Sequence, residues 1–496
     1  MDPEQKVAKI TPQHDADHVD GVDRISALPD EILLHVLSFL GSKKAGKTSV
    51  LSTRWRFLFA STPDIDLDMS FDSQSLDPSQ NNGIVIDHPP YQRLYAFMNF
   101  GYRLVMLRNG APIRKFKLSL RQVPRAYQAA IQSLISAALL CKAQEIEISV
   151  DSNALSRAHS IEQVSVAGML SCKTLVSLEL DCWPGGNLNV SPDSVWLPNL
   201  KSLHLSALIL VNEDSIQWLI QGCPVLQELD LSLAGFSHST TGQQQRGIII
   251  SSSSLIKLKL ECWASECTVL VECKILESFE YSDICARKRK IILVAPNLKY
   301  LAYTVDRLGE SFIQIPNCLV GAKIRVCHWG EQDSIQDIYE HLHRVGCVKS
   351  LSLEQNILKA LHYCERPFPI FKNLTRLEVR SLSCWKMLPS LFGCSPSLQE
   401  LVLGEVAWDG NLQELECLLQ QVILVSFIQH LKEIEIRRFC KEEYEFKLVE
   451  YFLRNAKALQ KVTLGMGSLD VPERLLSLKR YSKHCHVKGR GVIIYY

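Results

Sequence analysis

The sequence lacks an excess of either charge. Its 496 residues carry 54 basic and 53 acidic side chains, a formal charge of +1. That balance supplies no field to collect nucleic acid or anionic lipid, so neither is expected as a partner. No run of ~18 apolar residues is free of charge, which leaves no candidate membrane span. The opening residues, MDPEQKVAKITPQHDADHVDG, are polar, so no secretory signal is expected. The 17 cysteines include no C-x-x-C pair, and the closest two are Cys262 and Cys267. An odd number scattered along the chain points to reduced thiols that pack as small hydrophobes in a cytoplasmic and/or nuclear protein. A catalytic set is also missing. The 14 histidines are dispersed, and His484-Cys485-His486 lacks the further ligands of a zinc site. That triplet reads as part of a polar tail. No enzymatic activity, metal or cofactor is expected.

What is present suits a small module followed by a repeat array. Apolar residues make up 47% and charged residues 22% of the chain, enough to fold, yet the length is too great for one compact core. Residues 1–22 read as disordered. Pro29 sits where a first helical turn would start, and Asp30 and Glu31 favour the positive end of a helix dipole. Ile32, Leu33, Val36, Leu37 and Leu40 then recur at helical spacing. Gly41 ends that helix, and Ser42 is placed to cap a second one carrying Ala45, Val50 and Leu51. Arg54, Trp55, Leu58 and Phe59 mark a third. Glycine at position 46, inside the second helix, costs about 1 kcal/mol relative to alanine.

From about residue 110 an L-x-x-L-x-L pattern recurs, as in Leu175/Leu178/Leu180, Leu200/Leu203/Leu205, Leu226/Leu229/Leu231 and Leu398/Leu401/Leu403. Weaker copies centre on Phe116, Ile146, Phe279, Ile324, Leu351, Ile434 and Val462. Irregular steps near 25 residues fit leucine-rich repeats. The L-x-L core of each is a short strand with alternate side chains inward, and the returning segment is often helical. Stacked repeats form a parallel, curved sheet. Residues flanking the inward leucines then face the concave side: Ser177, Glu179, Ser202, His204, Glu228, Asp230, Lys257, Lys259, Tyr300, Thr304, Arg376, Glu378, Arg380, Glu400, Glu433, Glu435 and Arg437. This strip mixes signs, which suits a folded protein surface better than a polyanion. Cys223 and Cys394 occupy matching places just before a strand, an arrangement that points to packing.

Two signatures read as incidental. Gly41 to Thr48 satisfies G-x-x-x-x-G-K-[ST] to the letter. A phosphate loop needs a strand before it and a parallel α/β domain around it, whereas residues 30–40 have helical periodicity and a polar stretch follows. Arg287-Lys288-Arg289-Lys290 reads as a solvated turn between repeats rather than an import signal.

The run Leu28-Pro29-x-Glu31-Ile32-Leu33, Val36-Leu37, Leu40, Thr48-Ser49-Val50-Leu51-Ser52 and Arg54-Trp55-Arg56 resembles the F-box family over roughly residues 22–68. LKEIEIRRFCKEEYEFKLVEYFLRNAKALQKVTL resembles the FBD region of plant F-box proteins with leucine-rich repeats. The resemblance implies docking onto a Skp-type adaptor, and through it a cullin, by Leu28, Pro29, Ile32, Leu33, Val36, Leu37, Val50, Leu51 and Trp55. The target of such a ligase subunit would sit on the concave strip, foremost on His204, Glu228, Asp230, Lys257, Lys259, Tyr300, Arg376, Glu378 and Arg380. The alternative is a repeat scaffold without ligase association, and a charge at Leu33 or Leu37 is the change chosen to separate the two. The expected fold is α/β, a three-helix module followed by a curved parallel sheet with helices on its convex side. Its divisions are a disordered 1–22, an F-box at 23–68, a linker at 69–110 and repeats at 111–405. An FBD region or terminal cap at 406–482 and a tail at 483–496 complete it.

Overall fold

The computed structural model describes residues 25, 27–69, 89–108, 110–121, 127–151, 168–188, 190–236, 246–263, 267–283, 290–306, 319–327, 332–364, 366–383, 387–408, 410–423, 429–466, 471–478, 480–482 and 484–491. The disordered stretch expected at 1–22 and Arg287 to Arg289 lie outside these residues. Three helices come first: α1 (Asp30–Ser38), α2 (Gly41–Thr48) and α3 (Thr53–Ala60). Gly41 takes φ +65°, a left-handed turn that separates the first two helices. Ser52 caps α3 by accepting the Trp55 N–H.

A parallel sheet of sixteen strands follows. Its first members are β1 (Asp64–Asp68), β2 (Lys115–Arg121), β3 (Glu145–Asp151), β4 (Ser177–Leu188), β5 (Ser202–Leu210) and β6 (Glu228–Phe236). A separate parallel sheet of three strands is made of β7 (Arg246–Ser252), β9 (Cys267–Cys273) and β11 (Lys290–Val294). The main sheet continues with β8 (Lys257–Cys262), β10 (Ser278–Asp283), β12 (Tyr300–Val305), β13 (Gly321–Val326) and β14 (Ser350–Leu353). It closes with β15 (Arg376–Leu382), β16 (Glu400–Val406), β17 (Glu433–Arg438), β18 (Lys461–Met466) and β19 (His486–Gly491). The returning helices are α4 (Pro89–Leu107), α5 (Gln128–Leu140), α6 (Ser215–Gln221), α7 (Gln332–Arg344), α8 (Gln355–His362), α9 (Leu388–Gly393), α10 (Leu412–Ile423), α11 (Glu443–Asn455) and α12 (Glu473–Leu476).

The strand motif explains the stacking. Alternate residues are buried in most strands, as in the Lys257–Cys262 strand, where Leu258, Leu260 and Cys262 are buried. Register aligns one inward row: Ile65, Phe116, Ile146, Leu178, Leu203, Leu229, Leu258, Phe279 and Leu301 are consecutive partners. Truncating one such leucine to alanine costs about 2–5 kcal/mol. Before several strands a polar side chain ties one repeat to the last. Thr174, Asn199, Asn297 and Ser397 each donate to a carbonyl of the preceding repeat, at 2.9, 2.8, 2.9 and 2.9 Å.

Several boundaries differ from expectation. The sheet begins at Asp64 inside the expected F-box, because Asp-Ile-Asp-Leu-Asp alternates at the period of a strand with Ile65 and Leu67 buried. Residues 69–110 are not a plain linker, since α4 buries Leu94, Met98, Leu104 and Val105 against the core. Residues 483–496 are not simply a tail. Cys485 is buried and β19 pairs in parallel with β18, extending the sheet by one strand. The repeat assigned to Ile324 is shifted by two residues, because Leu301 pairs with Ala322 and Ile324 with Tyr303. Three consecutive returns are strands instead of helices, as the apolar runs Ile248-Ile249-Ile250, Val269-Leu270-Val271 and Ile291-Ile292-Leu293 favour.

Candidate adaptor and target interfaces

The three short helices bury part of their apolar set and expose the rest. Leu33, Leu37 and Trp55 are buried and hold the helices together with Leu58 and Phe59. Ile32, Val36, Val50 and Leu51 are 47%, 45%, 84% and 66% exposed, and Leu28 and Pro29 are exposed beside them. The nine expected adaptor residues therefore divide into three that build the module and six that a partner can reach. A charge at Leu33 or Leu37 would unfold the module rather than probe a contact, and only the exposed positions separate a ligase subunit from a scaffold. Helical spacing alone missed Ile25, Phe39 and Phe57, which are also exposed and widen the apolar surface.

Arg54 fixes the shape of this surface. Its guanidinium donates to Asp30 Oδ1 and to the Leu28 carbonyl, the latter at 2.7 Å, pinning α3 to the start of α1. The phosphate-loop signature is simply α2. Its backbone follows a helix through Thr48, and the Thr48 hydroxyl donates to the Ala45 carbonyl at 2.6 Å. A wrapped phosphate has no place there.

The module is built onto the sheet rather than tethered to it. Ser42 does not cap α2; it is buried, and its hydroxyl accepts the Asp66 N–H at 2.7 Å. Gly46 faces Phe100 of α4 and Phe59 of α3, and a Cβ there would lie 3.2–3.3 Å from their rings. Glycine thus lets α2 approach α4. Buried Arg108 follows α4 and donates to the carbonyls of Ala60, Thr62 and Pro112 at 2.7, 2.6 and 2.7 Å. Burial lowers the pKa of its guanidinium from the ordinary value.

The sheet face opposite the buried row carries the expected concave strip. One register row runs Glu147, Glu179, His204, Asp230, Lys259, Glu280, Ala302, Lys323, Ser352, Glu378, Val402, Glu435, Thr463 and Lys488. Glu228 and Lys257 lie beside it in the neighbouring row, as do Tyr300, 53% exposed, and Arg376. Many of these charges pair along the sheet. Lys257 reaches Glu228 at 2.6 Å, and Lys259 and His204 converge on Asp230 at 3.0 and 2.9 Å. Arg437 grips Glu378 through two nitrogens at 2.7 and 3.1 Å, and Arg376 pairs with Glu400. Arg380 and Arg325 share Glu354 more loosely, at 3.8 and 3.7 Å. The hydrogen bond that His204 donates to Asp230 holds the His204 pKa above its ordinary value. Burial alone would raise Asp230, but its bonds to His204 and Lys259 bring it below the usual carboxylate value.

Elsewhere the titratable groups are structural. Burial pushes the Cys223 thiol up to about 12 and raises Cys394, so both are protonated packing groups. Among the described residues no three His, Cys, Asp or Glu side chains gather as a metal site. No described helix is long and apolar enough to cross a membrane.

Comparison with known proteins agrees with this division. Residues 25–64 match the F-box domain, 131–327 match "FBD-associated F-box protein At5g56370, LRR repeats", and 424–464 match FBD. The chain is 29% identical to F-box/FBD/LRR-repeat protein At5g22700 of Arabidopsis thaliana, over 95% of this chain and 98% of the relative. It is 30% identical to putative F-box/LRR-repeat protein At3g59160 of the same plant, over 83% and 88%. A solved leucine-rich repeat protein of Leptospira interrogans, LIC12759, is 14% identical, with 78% of this chain and 91% of that chain covered, at a TM-score of 0.29.

Proposed function

The chain belongs to the plant F-box/FBD/LRR-repeat family, and on that premise we propose that it is the substrate-recognition subunit of an SCF-type ubiquitin ligase. The F-box docks on a Skp-type adaptor, which connects to a cullin, and the open face of the sheet holds a target protein. Catalysis comes from the ubiquitin-transferring enzymes, so this chain contributes proximity and orientation. Its place of action is the cytoplasm and/or the nucleus.

The observation that carries this reading is the exposure of Ile32, Val36, Val50 and Leu51 on a module whose own core is already closed by Leu33, Leu37 and Trp55. These four side chains keep much of their apolar surface outside that core, and it leaves water when a partner covers them. The FBD segment has no separate chemistry in this scheme, since β17 and β18 continue the sheet.

Titration of the full chain with a purified plant Skp-type adaptor is the test. Truncation at residue 68 is unsuitable, because it would remove β1 from the sheet. The parent chain should bind, and Ile32→Asp combined with Val50→Asp should weaken binding by about a hundredfold or more while thermal unfolding stays unchanged. No binding by the parent chain would end the ligase reading and leave the interaction scaffold in its place.

A further inference from the structure

The open face of the sheet is polarised along its length. On β3 to β10, Glu145, Glu179, Glu261 and Glu280 make no salt bridge among the described residues. The cations of that half, Lys257 and Lys259, are both already engaged. Glu147 and Glu179 are direct register partners, but Lys115 and Lys117 of β2 both bridge Glu147, so Glu179 is the uncompensated carboxylate of the two. On β13 to β19 the balance reverses. Lys323 and Lys488 are exposed and make no salt bridge among the described residues, and Arg325 and Arg380 share the single carboxylate of Glu354. Strands lie about 4.8 Å apart, and the midpoints of the two stretches are about seven strand steps apart, roughly 34 Å along the sheet and some four times the Debye length of about 8 Å at physiological salt. The two ends therefore act as separate fields rather than cancelling.

We propose, taking the ligase reading as given, that the target is a protein with a lysine- or arginine-rich segment on β3 to β10 and an acidic segment on β13 to β19. A partner of this polarity neutralises Glu179 and Glu280 at one end and Lys323 and Lys488 at the other in one orientation only. The reversed orientation places like charges together at both ends, so the face selects direction as well as composition. Nucleic acid meets repulsion over the half next to the F-box.

Two fluorescent twelve-residue peptides, alternating Lys-Gly and alternating Glu-Gly, serve as probes of the full chain by anisotropy. Glu179→Lys with Glu280→Lys should weaken the Lys-Gly peptide at least tenfold and leave the Glu-Gly peptide no weaker. Lys323→Glu with Lys488→Glu should do the converse. Equal affinities across parent and both variants would overturn the proposal, as would a single-stranded oligonucleotide that binds the basic end more tightly than the Glu-Gly peptide. Adaptor titration of the same variants separates the two readings. Retained adaptor binding with indifferent peptides sinks the polarity alone, whereas polar peptide binding without adaptor binding sinks the ligase reading alone.

Discussion

The F-box helices and the sheet present opposite kinds of surface. The helices expose apolar side chains, from Ile32 and Val36 to Val50 and Leu51, with Arg54 and Asp30 at their margin. The sheet buries its apolar row and exposes charges, some of them paired, such as Glu228 with Lys257 and Glu378 with Arg437. An apolar surface gains free energy from any partner that excludes water and matches its shape, so it suits a contact made the same way each time. A charged surface gains little in net free energy, because each group must first give up water and its neighbour, but it discriminates strongly by sign. One chain thus joins a generic grip to a selective one, with Arg108 at the junction.

That comparison breaks most severely at Arg108. Replacing it with alanine orphans the carbonyls of Ala60, Thr62 and Pro112 and should cost about 3 kcal/mol or more. Denaturant unfolding should show the loss, with the helices becoming protease-sensitive ahead of the repeats. Within the F-box itself, Leu33→Asp and Ile32→Asp sharpen the contrast between core and contact. The first should cost about 3 kcal/mol or more by burying an unpaired carboxylate, and the second should leave unfolding within about 0.5 kcal/mol. Circular dichroism melts of the two variants check this. Gly46→Leu should cost about 1–3 kcal/mol, because Phe100 and Phe59 occupy the space its side chain needs.

The repeats carry a pH dependence at two histidines. His341 is buried behind Tyr303, and burial, with Arg344 nearby, lowers its pKa from 6.5 to about 4. The unfolded chain then binds the proton more readily than the folded one between those values. Its contribution is fully present above pH 6.5 and is lost as pH falls toward 4. Denaturant titrations across that range should show the decline, and His341→Gln should flatten it. His204 runs the other way, since its raised pKa makes its contribution greatest below 6.5 and lost as pH rises through the folded value. A small effect belongs to the sheet's ion pairs. Arg437→Ala should cost no more than about 1 kcal/mol, because the pair it breaks with Glu378 is only partly buried.

Sequence patterning reached far into this fold but stopped where one signal masked another. The Leu178 and Leu203 repeats were legible because period-two alternation and a step of 25 residues reinforced each other. Strand β1 was hidden because its outward positions, Asp64, Asp66 and Asp68, merge with the polar residues that follow. Strand β19 was hidden by glycines and basic residues, although Cys485 and Val487 kept the inward alternation. Missing it also hid the basic end of the open face, because Lys488 and Arg490 stand on that strand. In the F-box, helical spacing found the apolar residues but could not sort them. Which side of each helix faces its neighbours depends on crossings set by contacts such as Arg54 with Asp30 and Gly46 with Phe100.

Hydrogen exchange of the full chain with and without a bound Skp-type adaptor tests the division of labour most directly. The account predicts new protection confined to the helices between Asp30 and Ala60, with β4 to β16 unchanged. Protection spread along the sheet strands, with none gained in those helices, would contradict it.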